Sequence, residues 1–134
     1  MPDMFNDVRD FHEKFNLLIQ SYPAIPPTEI TQLRISLILE EVQELGLALS
    51  KNDLPQIADG IADLIYVLLG AAISYGINLN TVWTAVHTAN MQKVGGGKSL
   101  HGKVLKPPGW LHPDIETILE RQQLTDGIPL IKEY

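Results

Sequence analysis

Apolar residues recur at spacings of three and four over most of this chain, and the period of two that marks a half-buried strand competes nowhere. Phe5, Val8, Phe11, Phe15, Leu18 and Ile19 predict an amphipathic helix from about Met4 to Ser21, closed by Tyr22-Pro23. After the proline-rich connection PAIPPTEI, Thr28 can cap a second helix from about Glu29 to Leu49, with Ile30, Leu33, Leu37, Ile38 and Leu45 on its apolar face. Asn52-Asp53 makes the next turn and cap, Pro55 suits a first helical turn, and a third helix should run to Tyr75, where Gly76 supplies a left-handed stop. Asn80 is read as the cap of a fourth helix from Thr81 to about Lys93, ended by Gly95, Gly96 and Gly97. The chain is then expected to be loop to Trp110, with a short last helix from Pro113-Asp114 to about Gln122 and no clear period beyond Asp126. The prediction is an all-α bundle of four to five helices, with the second and third as an antiparallel pair and the first and fourth packed around them.

Two acidic clusters break the apolar pattern. Glu40, Glu41 and Glu44 lie in LILEEVQELG, and Asp59 and Asp63 in QIADGIADLIYVL. Spacings of three and four project each cluster along one face of its helix, and an uncompensated carboxylate in apolar surroundings costs several kcal/mol or takes up a proton. Two such faces packed together would make an all-oxygen cage of the kind that holds Mg²⁺, with Mn²⁺ as a substitute.

The rest of the charge pattern suits a phosphate compound. No acidic residue occurs between Asp63 and Asp114, whereas Lys93, Lys98, Lys103 and Lys106 all fall in that stretch. With a formal net charge of -6, nucleic-acid binding through overall basicity is disfavoured, and a small polyanion held between metal and lysines fits better. A length of 134 residues with 45% hydrophobic content bounds the chain to one domain, with a core from about residue 4 to 122. The absence of cysteine removes thiolate catalysis and zinc-thiolate sites and agrees with a reducing cytoplasm. No charged leader precedes an apolar segment, so export is not expected, and the run Ile61 to Ile73, about thirteen residues, is read as a buried helix rather than a membrane span. Because the third helix is apolar nearly all round, a second subunit is expected to help bury it.

The ordered pieces FHEKF, RISLILEE, EEVQE, ADLIYVLLGAAISYGINL, VHTANMQK and GKVLKPPGW resemble the MazG-like all-α nucleoside triphosphate pyrophosphohydrolases, the superfamily of phosphoribosyl-ATP pyrophosphatases and dimeric dUTPases. The resemblance covers most of residues 11–122. It implies Mg²⁺-dependent hydrolysis between the α and β phosphates of a nucleoside triphosphate, releasing pyrophosphate, in clearing unwanted nucleotides. Phosphoribosyl-ATP hydrolysis, or nucleotide binding without turnover, are the alternatives. It further implies that Glu41, Glu44 and Asp63 hold metal, that Glu40 holds a second metal or orients or deprotonates the attacking water, and that Asn90, Lys93, Lys103 and Lys106 hold the β and γ phosphates. A homodimer or dimer of dimers, with no nucleic acid or membrane partner, goes with it.

One position departs from the family's ExxD motif: Gly60 stands where its glutamate belongs. Residues four apart are separated by about 40° around a helix, against about 60° for three apart, so Asp59 can face the same region as Asp63. Asp59 is therefore expected to replace the missing ligand, with Gly60 leaving space beside it, and a glutamate restored at position 60 should substitute for it. Trp110 is read as packing that pins its loop, His12 and His87 as structural, and Arg34 as either a partner of the acidic cluster or plain surface.

Overall fold

The computed structural model describes residues 3–126; the end of the chain beyond Asp126 lies outside the described residues. Five α-helices follow one another: α1 Met4–Lys14, α2 Thr28–Ser50, α3 Leu54–Ser74, α4 Leu79–Met91 and α5 Ile115–Arg121, the last continued by one wide turn over Gln122–Asp126. Among the described residues the only strand-like pairing is an isolated antiparallel bridge between Lys98 and Val104.

The long pair α2 and α3 forms the body of the molecule. A Cβ built on Gly60 would meet Leu45 Cδ1 at 3.3 Å, one on Gly70 would run into the Arg34 guanidinium, and Thr31 Oγ1 and Tyr75 Oη share a hydrogen bond of 2.9 Å. These contacts fix an antiparallel register in which Glu41 and Glu44 lie across from the Gly60–Asp63 turn. Gly60 lets α3 approach the α2 backbone at Leu45 closely, whereas Gly70 makes room for the Arg34 and His12 side chains. Asp53 caps α3 by accepting from Gln56 N, with Pro55 in the first turn as the sequence predicts.

Three boundaries differ from expectation. Helix α1 ends at Lys14, not near Ser21, because Asn16 takes a left-handed φ of 55° and Leu17 N donates back to His12 O at 2.8 Å. Leu18 and Ile19 still face inward, but from an extended segment that runs along the end of α3, where Gln20 Nε2 donates to Ser74 O at 2.8 Å and Ala24 N to Tyr75 O at 3.0 Å. Thr28 is the first helical residue and Pro27 the N-cap, with no side-chain bond; Asn78, not Asn80, caps α4 by accepting from Asn80 N at 3.1 Å.

Packing also differs. Helix α1 lies on α3, but α4 packs against α5 rather than on the α2–α3 pair. Its start is tied down by buried Gln122, which accepts from Asn78 N and donates to Asn78 O and Thr81 Oγ1. Consequently the buried apolar residues among those described are Val8, Ala48, Ala72, Ile73 and Ala89, mostly small, while Leu39 on α2 is 56% exposed and Trp83 on α4 is 68% exposed. Helix α3, at 21 residues, fills the range expected between Asp53 and Tyr75, and by length and composition alone could cross a membrane. Asp59 and Asp63 within it, and α2 along its side, suit the central helix of a bundle better.

At the C-terminal end of α3 the chain must turn sharply. Gly76 adopts φ 71°, Ile77 N donates to Ala72 O at 2.9 Å, and a Cβ on Gly76 would collide with the Tyr22 carbonyl. Gly76→Ala is expected to cost about 2 kcal/mol or more, combining left-handed strain with displacement of backbone, as read by urea unfolding.

Beneath that turn, His12 is buried with Nδ1 donating to Leu18 O at 3.0 Å, a carbonyl that can only accept, so in the neutral ring Nε2 carries the lone pair, and it faces the Gly70–Arg34 contact. Burial pushes its pKa below the ordinary 6.5; the Leu18 bond opposes this and the charge of Arg34 reinforces it. A depressed histidine contributes stability that is present above its unfolded value and lost as pH falls through its folded one. The thermal midpoint is thus expected to drop between pH 7 and 5 more steeply in the wild type than in His12→Gln, which keeps a donor but does not titrate. Parallel slopes would remove His12 from the acid response.

Candidate functional site

Glu44, Asp59, Gly60 and Asp63 line one groove of about 290 Å³ between α2 and α3, together with Gln56, Leu47 and Ala48. Helical spacing explains the set: residues 56, 59 or 60, and 63 recur along one face of α3, opposite the 44 to 48 turn of α2. Glu41 sits one turn along the same seam. Burial, then the charges of Glu44, Asp63 and Glu40, then proton sharing with Glu44, push its carboxyl above the usual range. Its Oε2 is buried and accepts no hydrogen bond.

Among the described residues, none of Glu40, Glu41, Glu44, Asp59 and Asp63 is paired with a lysine or arginine. Three or more of these groups do not converge tightly enough, as their side chains stand, to make a ready metal cage. The donor chemistry nevertheless fits a hard cation. Carboxylates of one sign share a groove, one oxygen of Glu41 lacks any donor, and the neighbouring acidic charges push that carboxyl's pKa up. Glu40 is exposed and turned from the groove lining. Arg34 is no partner of this cluster: it is buried two turns away against Gly70, with Nε unbonded.

The substrate-binding candidates fall in a second place. The expected loop after α4 is a small hairpin, with Leu105 N donating to Gly97 O at 3.0 Å and Ser99 N to Lys103 O at 2.8 Å. Lys103 belongs to its exposed turn. Asn90 is exposed on the last turn of α4. Lys93 and Lys106 come together on Trp110, each with Nζ 5.1 Å from the indole centroid. No hydrogen bond or ion pair among the described residues joins this basic group to the acidic groove within one chain.

The sequence pattern of the phosphoribosyl-ATP pyrophosphohydrolases matches residues 8–90, more than half the chain and both acidic clusters. The chain belongs to this family. Its five-helix, strandless architecture over the described residues agrees with the MazG-like all-α superfamily that includes the phosphoribosyl-ATP pyrophosphohydrolases. A relative in Acanthamoeba polyphaga mimivirus, the uncharacterized protein L479, is 36% identical over 72 residues, 54% of this chain. The match spans 29% of that protein's length. The family match ends at Asn90, so Lys93, Lys103, Lys106 and Trp110 stand on the structure and on the quoted motifs alone.

Gln56 was not singled out from the sequence, although its spacing from Asp59 and Asp63 was there to be read. The sharing of Trp110 by two lysines had no local signal, since it joins residues 93, 106 and 110 through a folded hairpin.

Proposed function

We propose that this chain is a Mg²⁺-dependent nucleoside triphosphate pyrophosphohydrolase that cleaves the α–β phosphoanhydride to give a monophosphate and pyrophosphate, clearing unwanted nucleotides in the cytoplasm. The observation that carries this reading is the groove of unpaired carboxylates, with the bare buried oxygen of Glu41 at its edge. Glu41, Glu44, Asp59 and Asp63 would hold the ion, for which Mn²⁺ would substitute. The ion would supply charge neutralisation and polarisation of the phosphate oxygens. Glu40, exposed and outside the groove lining, would turn toward a bound substrate to orient a water and hold the proton it loses. Asn90, Lys93, Lys103 and Lys106 would take the charge of the β and γ phosphates and of the departing pyrophosphate.

The uncovered apolar faces of α2, α3 and α4 support a homodimer or dimer of dimers, in which one copy's lysines would serve its partner's groove. Light scattering at micromolar concentration should return an even multiple of 14.9 kDa. A monomer mass would remove the shared site.

The family's own name favours phosphoribosyl-ATP as a second substrate reading. Pyrophosphate release with Mg²⁺ should be assayed over the common ribo- and deoxynucleoside triphosphates and phosphoribosyl-ATP. Turnover of a triphosphate above that of phosphoribosyl-ATP supports the first reading, and the reverse order the second. Binding without release from any of them would mark an inactive relative.

A further inference from the structure

We propose that Trp110 is a positioning residue for substrate, holding the ammonium groups of Lys93 and Lys106 together as a preformed polyphosphate clamp; this rests on the reading that these lysines take the phosphates.

The two lysines come from different elements. Lys93 follows the end of α4, and Lys106 follows the hairpin. Each is a flexible four-carbon stem that exposed to water would sample many rotamers and lose that freedom on binding an anion. Here both ammonium groups stand 5.1 Å from one indole centroid, so they are no more than about 10 Å from each other. Two like charges gathered on one ring repel, and an anion between or beside them relieves that repulsion.

The ring is itself held. Trp110 Nε1 donates to Ala89 O at 2.7 Å, a carbonyl in the last turn of α4. His112 packs edge-on at 4.7 Å. Pro107 O accepts from Trp110 N at 3.1 Å, closing the turn that brings the indole back to the helix. Gly96 makes the approach possible, since a Cβ there would collide with the Leu105 carbonyl. The hairpin is thereby fastened to the last turn of α4, which carries Asn90 and leads into Lys93. An indole occupied in this way by two cations is a poor platform for a nucleobase. Its effect on the substrate is through the lysines.

The test uses inorganic tripolyphosphate as probe. Titration calorimetry on the full chain would compare wild type, Trp110→Phe, Trp110→Leu, Lys93→Ala/Lys106→Ala and the triple combination with Trp110→Leu, each with a thermal melt. Trp110→Leu is expected to weaken tripolyphosphate binding roughly tenfold, the size of two modest cation–π contacts. Trp110→Phe, which keeps a ring face but not the Ala89 bond, should lose about threefold or less while melting lower. In the background lacking both lysines, Trp110→Leu should change binding no further. A second readout does not require the leucine variant to fold. The chain has two tryptophans, and Trp83 is exposed, so in Trp83→Phe the emission is that of Trp110. Tripolyphosphate should shift it, with the midpoint of the calorimetric curve, and the shift should vanish without the lysines.

If removing the lysines weakens binding but Trp110→Leu does not, or if no emission shift accompanies binding, the positioning role is wrong and the phosphate role of the lysines stands. If removing the lysines leaves binding unchanged, both fall together.

Discussion

Glu41→Gln is expected to abolish Mg²⁺-dependent turnover while raising the thermal midpoint of the metal-free protein. The Glu41 carboxyl is pushed above its ordinary range, and the causes are all unfavourable to charge: burial first, then Glu44, Asp63 and Glu40. A glutamine removes one of the mutually repelling charges and gives the seam a neutral amide, so the apo fold gains. The same change removes a negative ligand from the proposed site. Loss of groups that merely orient metal ligands costs about 10–100-fold in affinity or activity, so loss of a ligand should cost at least about a hundredfold. Glu44→Gln should follow it, since Glu44 lines the groove directly. Glu40→Gln should behave differently: exposed and outside the groove lining, it should keep Mg²⁺ affinity by calorimetry yet lose pyrophosphate release. Mg²⁺-dependent release persisting in both Glu41→Gln and Glu44→Gln would take these residues out of the mechanism.

The gathering of Glu44, Asp59 and Asp63 in one groove was legible because helical spacing puts each cluster on one face of its helix. Once α2 and α3 are helices, Glu41 and Glu44, and Asp59 and Asp63, must each share a face, and antiparallel pairing brings the faces together. The caps told the same story where a side chain does the capping, as with Asp53 and Asp114. Where two adjacent candidates compete, as Asn78 and Asn80 do, local pattern cannot choose. The end of α1 was hidden for another reason. Leu18 and Ile19 are semi-buried whether helical or extended, so their period is uninformative, and the signal that counted was Asn16 in a left-handed conformation. The placement of α4 against α5 had no local signature, because the apolar face that suggests packing on the central pair equally suits another copy. The basic group was legible as a charge block but not as a geometry. Its assembly depends on a hairpin and on a tryptophan more than fifteen residues beyond the end of α4.

Asp59→Asn is expected to reduce Mg²⁺ affinity and turnover nearly as far as Asp63→Asn, at least about a hundredfold by the same ligand argument. Both aspartates line the groove with Glu44, which is what replacement of the missing family glutamate requires. The compensating change is less simple than helix spacing suggests. Gly60 does not leave open space, for the position is buried against Leu45, whose Cδ1 would lie 3.3 Å and Cα 3.4 Å from an added Cβ. Glutamate at 60 gains up to about 1 kcal/mol of helix propensity over glycine, but it must turn its chain out past Leu45 to reach the groove. Asp59→Asn/Gly60→Glu should therefore recover little, whereas adding Leu45→Ala, which removes the tightest contact while leaving the backbone at ordinary van der Waals distance, should restore roughly tenfold or more of the lost Mg²⁺ affinity. Wild-type turnover in Asp59→Asn alone would mean that Glu41, Glu44 and Asp63 suffice with water, and that Gly60 marks a true loss of one ligand. Recovery in the double variant without Leu45→Ala would mean that the α2–α3 seam yields more readily than its close glycine contact implies.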